Sequence, residues 1–195
     1  MKTVTIGDKK VGDGHPCFIS FEAGATHAGI EDAKKMVKAA AESGADAVKF
    51  QTCITEELMS DDYMISFETP DGKKQEESVF QALKRRELTF DEWRELKAYC
   101  DDLGILFIST PTGKSTVDLL SEIGAAAIKV SKADINHRYL IDYMAQKNLP
   151  MILDARERFE DVEMALQICE KHNVSDVVVM HCPSGYPATQ AGIHL

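Results

Sequence analysis

Six short runs rich in Val, Ile and Phe recur along the chain: Cys17–Glu22, Ala47–Thr52, Ile105–Thr110, Ala127–Ser131, Met151–Ala155 and Val177–Cys182. They are nearly continuous in hydrophobicity rather than alternating, the pattern of parallel strands covered on both faces. Helical stretches separate them. Ile30–Ser43 carries Ala33, Met36, Val37, Ala40 and Ala41 at helical spacing and stops at Gly44. Thr89–Leu103 opens with Thr89-x-x-Glu92, a capping-box pattern, and ends at Gly104. Shorter helices are predicted over Ser115–Ile123 and over His137–Gln146, the latter capped by Asn136. Phe159–Lys171 places Val162, Leu166 and Cys169 on one face. A βα unit repeated five times before a sixth strand means a parallel α/β sheet, either doubly wound or a barrel.

Composition narrows what such a sheet can serve. With 22 Lys and Arg against 32 Asp and Glu, the 195-residue chain has a formal charge of −10. That balance argues against nucleic acid or an anionic membrane as partner, because both select a basic face. No apolar run reaches the roughly 18–20 residues of a membrane span. The N-terminus, MKTVTIGDKKVGDGHP, lacks the apolar segment of a signal peptide. The chain reads as a single-domain, soluble, cytoplasmic protein. Its five cysteines (Cys17, Cys53, Cys100, Cys169 and Cys182) show no CxxC spacing and read mostly as small buried hydrophobes in a reducing compartment.

In both architectures chemistry sits at the C-terminal ends of the strands. Here those ends carry Glu22, Lys49-x-Gln51, Ser109-Thr110, Lys129-x-Ser131, Asp154 and His181, a set that plain connections would not need. The acidic excursion Glu56–Arg86, with Tyr63, Phe67 and the turn signal Pro70-Asp71-Gly72, is either a cover for that end or a solvated loop. VTIGDKKVG reads as a small hairpin closed at Gly7-Asp8, placed to plug the bottom of a barrel. His27 reads as a hydrogen-bonding pocket residue and His181 as a satisfied histidine at the core edge.

The run FEAGATHAG (Phe21–Gly29) resembles the E-x-G-x-N-H-x-G signature of the sialic acid synthase family. GADAVKFQT (Gly44–Thr52), FISTP (Phe107–Pro111), the Lys129 strand and HCPSGYP (His181–Pro187) follow in the family's order and approximate spacing. The resemblance implies a TIM (β/α)8 barrel, present here as about six βα units after an N-terminal hairpin. It implies an enzyme that condenses phosphoenolpyruvate with an N-acylated mannosamine-type sugar to give a nonulosonic acid and phosphate. In the family, C3 of phosphoenolpyruvate attacks the open-chain aldehyde, a divalent metal (Mn2+ or Mg2+) polarises that aldehyde, and water adds at C2. The tetrahedral intermediate then loses phosphate by C–O cleavage.

Carried over position by position, the resemblance implies Glu22, Lys49 and Gln51 as catalytic residues. It implies Lys49, Thr110, Lys129 and Ser184 as phosphoenolpyruvate ligands, and Gln51, Asp134 and Tyr186 as sugar ligands. The residue types suit those tasks. Phosphoenolpyruvate carries close to three negative charges, so an acidic protein must concentrate cations locally to hold it. Glu22 can orient water or shuttle a proton, and Gln51 can hold a hydroxyl or carboxylate without adding charge.

The pattern also departs from the family. Lys132-Ala133 replaces the usual Ser-Gly after the fourth strand, and Asp154-Ala155-Arg156 replaces Ser-Thr-Gly after the fifth, removing two serines from where the family grips phosphate. Lys132 and Asp154 are predicted to pair across adjacent strand ends, and Arg156 to replace the lost donors bidentately. The outcome is either a rebuilt anion site or a decayed one. The family's two metal-binding histidines fall on the seventh and eighth strands, so no metal ligands are expected within these residues. With those strands and the C-terminal antifreeze-like domain absent, residues 1–195 are expected to be a fragment of a barrel domain. A non-catalytic paralogue that binds sugar or anion, or docks on a full-length synthase, is the alternative. A third reading, an aldolase condensing phosphoenolpyruvate with a sugar phosphate, fits EAGATHAG and VKFQT less well. The acidic loop leans toward a non-phosphorylated sugar, and the family implies a homodimer.

Overall fold

The computed structural model describes residues 3–69, 71–156, 158–183 and 189–192. The chain opens with an antiparallel hairpin, β1 (Val4–Ile6) and β2 (Lys9–Val11). The βα series then runs β3 (Ser20–Gly24), α1 (Ile30–Glu42) and β4 (Ala47–Thr52), before an excursion of α2 (Thr55–Leu58), β5 (Met64–Glu68), β6 (Lys74–Ser78) and α3 (Val79–Lys84). It resumes with α4 (Phe90–Asp102), β7 (Leu106–Pro111), α5 (Lys114–Glu122), β8 (Ala127–Val130), α6 (Arg138–Ala145), β9 (Met151–Asp154), α7 (Phe159–Lys171) and β10 (Val177–Met180).

Six parallel strands form one sheet in the order β3-β4-β7-β8-β9-β10. A doubly wound sheet reverses its strand order at a switch point. This one never does, so every crossover turns the same way and the winding is that of a barrel wall. Among the described residues β3 and β10 are its edges.

Strand periodicity divides the sheet into two faces. Val48 and Phe50 of β4, Phe107 of β7, Ile128 and Val130 of β8, and Met151 and Leu153 of β9 point outward. They pack against the buried faces of α1, α4, α5, α6 and α7 in the main core. The intervening residues Ala47, Ile108, Ala127 and Ile152 form a second apolar cluster on the inner face. Ile6 from β1, 2% exposed, completes that cluster. The hairpin also donates its Thr5 backbone N–H to Asp176 Oδ1 at 2.8 Å, just before β10. At the hairpin's turn Gly7 has φ +60°, and a Cβ there would lie 2.5 Å from Leu106 Cδ2. The left-handed backbone of the turn favours glycine, and any side chain there would also push the Leu106 side chain aside.

Several sequence expectations shift. The first strand is Ser20–Gly24 rather than Cys17–Glu22, because Cys17–Ile19 lead into the sheet, with Ile19 O accepting from Asp46 and Ala47 N–H and Ile19 N–H donating to the Asp46 carboxylate rather than to a strand carbonyl. The excursion is a structured unit, with Asp71-Gly72 in the turn of its hairpin. The cap of α6 is His137, whose Nδ1 accepts from Leu140 N–H at 3.1 Å, and not Asn136. On α7, Leu166 is 39% exposed while Ala165 and Ile168 join Val162 and Cys169 in the core. Among the described residues no helix is long and apolar enough to cross a membrane.

Candidate active site

Above the inner apolar layer, one pleat further along each strand, the inward side chains become polar. Ala47 is followed on the same face by Lys49 and Gln51, Ile108 by Thr110, Ala127 by Lys129, and Ile152 by Asp154. Register brings them together: Glu22 stands opposite Lys49, and Gln51 opposite Thr110. The result is a cleft of about 540 Å³ at the C-terminal ends of the strands. Its lining includes Glu22, Lys49, Gln51, Thr110, Lys129 and Asp134, so all six of these sequence-predicted residues converge on it. Ser184 and Tyr186 lie outside the described residues.

Charge in the cleft is ordered as two linked groups. Lys49, with its side chain 7% exposed, is 3.2 Å from Glu22 Oε1, while Glu22 itself stays open to solvent. Burial lowers the Lys49 pKa below the ordinary lysine range; Glu22 opposes that shift and Lys129 adds to it. Lys129 Nζ lies 3.3 Å from Asp154 Oδ2. Arg156 closes on the same carboxylate through two bonds, Nε to Oδ1 at 2.9 Å and Nη2 to Oδ2 at 2.5 Å. Asp154 is wholly buried, which disfavours its charge, but the Arg156 guanidinium and the Lys129 ammonium prevail and hold its pKa below the usual carboxylate range. The expected Lys132–Asp154 pair is therefore replaced by Lys129–Asp154–Arg156. Residue 129 points inward from its strand directly beside Asp154, whereas Lys132 sits beyond the strand end in a short 3-10 turn, Lys132–Asp134.

The rest of the cleft offers hydrogen bonds. Thr110 and Thr112 each have a buried hydroxyl oxygen with no partner among the described residues. Such a group costs free energy unless something in the cleft bonds to it. Asp134 accepts from Ser131 Oγ at 2.6 Å, which steadies the turn after β8. Leu58, from α2, reaches the rim. The excursion is tied down there by Glu87, whose Oε2 accepts from Thr55 N–H and Oγ1 at 2.8 and 2.6 Å.

Two histidine expectations are corrected. His27 is not in the cleft: it is 1% exposed behind the sheet, its ring edge-on to Phe50 and Trp93, and neither ring nitrogen has a partner among the described residues. Burial lowers its pKa, so it is a neutral packing residue rather than a hydrogen-bonding one. His181 is exposed rather than satisfied at the core edge. Two cleft residues escaped the sequence reading. Thr112 follows Thr110 at the strand period, a signal that was available, whereas Leu58 depends on how the excursion folds back. Among the described residues no group of three or more His, Cys, Asp or Glu is placed to hold a metal ion. Of the cleft carboxylates, Glu22 and Asp154 are engaged by cations and Asp134 by the Ser131 hydroxyl, so these residues do not fit a metal.

Comparison with known proteins identifies relatives of the chain. Residues 36–195 match the profile of the NeuB family. An uncharacterised protein of Methanocaldococcus jannaschii is 34% identical over 197 residues, covering 100% of this chain and 54% of that protein. The N,N'-diacetyllegionaminic acid synthase of Legionella pneumophila is 31% identical over 195 residues, covering 97% of this chain and 55% of the synthase. The crystal structure of N-acetylneuraminic acid (sialic acid) synthetase from Leptospira borgpetersenii, in complex with citrate, matches with a TM-score of 0.84 at 28% identity. That match covers 98% of this chain and 63% of the crystallised one. The chain thus spans about half the length of the curated relatives it matches.

Proposed function

This chain belongs to the NeuB family, and on that premise we propose that it forms the phosphoenolpyruvate-binding part of a nonulosonic acid synthase. The observation that carries the reading is Lys49 and Lys129, both largely buried and facing one cleft in a protein of net charge −10. Each is paired with a carboxylate, Glu22 or Asp154, but with Lys132 and Arg156 the cleft lining holds four cationic side chains against three carboxylates, a local positive excess that favours an anion in an otherwise acidic chain. The orphaned Thr110 hydroxyl beside them supplies a neutral donor.

In the proposed reaction the enol C3 of phosphoenolpyruvate bonds to the aldehyde carbon of an N-acylated mannosamine-type sugar. The aldehyde oxygen gains a proton, and water adds to C2. Phosphate then departs with the bridging oxygen as the C2–O bond breaks, leaving the 2-keto acid. Lys49, Lys129 and Thr110 hold the phosphoenolpyruvate anion. Glu22, exposed beside Lys49, takes the proton from the attacking water, and the ammonium next to it stabilises the charge that develops. Gln51 and Asp134 face the sugar hydroxyls. The divalent metal implied by the resemblance is assigned to ligands outside the described residues.

The test is sugar-dependent release of phosphate from phosphoenolpyruvate by the intact protein with Mn2+, across a panel of N-acylated amino sugars. Release that disappears in Lys49→Ala is expected. A folded protein that releases none with any sugar overturns the reading. One observation favours a second reading, binding without turnover: Asp154 already neutralises part of the cation charge of the cleft. In that case phosphoenolpyruvate binds and Lys49→Ala abolishes binding, while no sugar elicits release.

A further inference from the structure

We propose that Leu58 is a specificity-determining residue of the cleft and that it takes a methyl group of the acceptor sugar; this rests on the nonulosonic acid synthase reading above. Helix α2 is four residues long, too short to hold its shape by backbone hydrogen bonds alone. Its first three residues are each tied to a different part of the chain. Thr55 is held by Glu87 through its N–H and its hydroxyl. Glu56 meets Lys84 of α3 at 2.7 Å, and the same ammonium bonds to Glu87 at 2.8 Å. Glu57 reaches the start of α5, where the Ser115 hydroxyl donates to its carboxylate, 3.1 and 3.0 Å from the two oxygens. The carboxylate lies so close over Gly113 that a Cβ there would be 2.5 Å from Glu57 Oε2. Helix α5 has no acidic residue in its own first turn, so Glu57 supplies the negative charge that its N-terminal dipole favours.

Leu58, the fourth residue, is the one that lines the cleft, and it is 42% exposed. A half-exposed leucine is ordinary by itself. One presented to a charged cleft by three anchored neighbours is not. Among the described lining residues it is the one aliphatic side chain larger than alanine. It enters from the loop after β4, the strand that carries Gln51, and Glu57 ties that loop to α5 just beyond Thr112, another lining residue. An N-acylated amino sugar is polar almost everywhere. Its apolar points are methyl groups, at the end of an acetyl chain or at C6 of a 6-deoxy sugar. Leu58 gains by covering such a methyl. A hydroxymethyl in the same place would lose water to the contact and find no partner in a leucine. Because the arm is already fixed, little ordering cost is left to be met on binding. Thr55, Glu56 and Glu57 act through Leu58 as positioning residues.

Steady-state phosphate release by the intact protein tests the assignment, with sugar pairs that differ by one group: N-acetyl against N-glycolyl at the amine, and 6-deoxy against 6-hydroxy at C6. Wild type should favour the methyl member of one pair, and that pair identifies which methyl Leu58 meets. Leu58→Ala should lower kcat/KM for that member by about five- to tenfold, the low end of what one methyl group supplies in an apolar contact, and leave its hydroxylated counterpart nearly unchanged. Leu58→Met should recover most of the preference, and the KM for phosphoenolpyruvate should not move in either variant. Glu57→Ala should weaken the same preference by a smaller factor. Equal losses for both members of each pair, or no loss at all, overturn the proposal. If no sugar elicits release, sugar affinity is measured by calorimetric titration in the presence of phosphoenolpyruvate. A methyl preference in binding that Leu58→Ala removes would leave the assignment of Leu58 standing and remove the synthase reading. Absence of sugar binding as well overturns both.

Discussion

Asp154 shows how a single side chain departs from what its neighbours in sequence suggest. A carboxylate with no exposed surface is tolerated only when its charge is matched, and Lys129 and Arg156 match it from two directions. The cost of breaking such a pair falls mainly on the partners left behind. Asp154→Asn should therefore lower unfolding free energy at neutral pH by about 3–5 kcal/mol, measured by urea titration. The pH dependence follows from the direction of the shift. Because the folded-state pKa is depressed, the stabilisation is complete above the unfolded value of about 3.9 and is lost as pH falls through the folded value. Wild type and Asp154→Asn should converge in stability at strongly acidic pH. A gap of constant size from neutral to acid would show that the ion pairs are not its source. The neighbouring Lys132 illustrates the limit of reading by position. A strand-end lysine and a strand-end aspartate on adjacent strands look paired in sequence, but the pleat puts residue 129, not residue 132, on the inner face beside Asp154.

At the scale of elements, α4 is anchored by its first turn. Thr89 Oγ1 accepts from Glu92 N–H at 3.2 Å, and the Glu92 carboxylate accepts from Thr89 N–H at 2.8 Å. The helix carries the buried Trp93, Leu96 and Cys100 into the main core. Thr89→Ala should cost about 1 kcal/mol in urea unfolding, and Thr89→Ser should restore most of it. If Thr89→Ala unfolds at the wild-type denaturant concentration, the box is ornamental. This cap was legible in the sequence because its pattern is local. So were the βα units, since continuous apolar runs bounded by glycines and helix-period faces need no distant partner to be recognised. The excursion over 56–86 was not. All five residues of β5 are exposed, so no hydrophobic alternation marks it, and it is held by the reach of Glu87 to Thr55 across 32 residues. His27 was misread for a related reason. Its loop position suggested the cleft, but the turn after β3 folds toward α4, and only the packing of Phe50 and Trp93 reveals that. Of the site, the inward residues at the strand ends were legible because the period of two places them; Thr112 and Leu58 needed the folded chain.

The whole molecule separates stability from chemistry along the strand axis. At the C-terminal ends the inner face is charged and open; at the N-terminal ends it is apolar and closed by the hairpin through Ile6. The hairpin reaches across most of the sheet at its chemistry-free end. Ile6 packs with residues of β4, β7, β8 and β9, while Thr5 bonds to Asp176 before β10. An element contributed by the first residues of the chain thus ties together strands that arrive much later. Ile6→Ala removes the apolar plug and leaves a void among side chains that are themselves held by the sheet, so they can collapse only partly. The expected cost is about 2–5 kcal/mol. Because the void lies below the polar layer, the geometry of Lys49, Lys129 and Arg156 should survive it. Phosphoenolpyruvate affinity, measured well below the lowered melting temperature, should stay within about twofold of wild type, since contacts to a distant site do not couple. Affinity that falls in step with stability would mean that the plug sets the spacing of the strands at the cleft, and that the two ends of the sheet act as one unit.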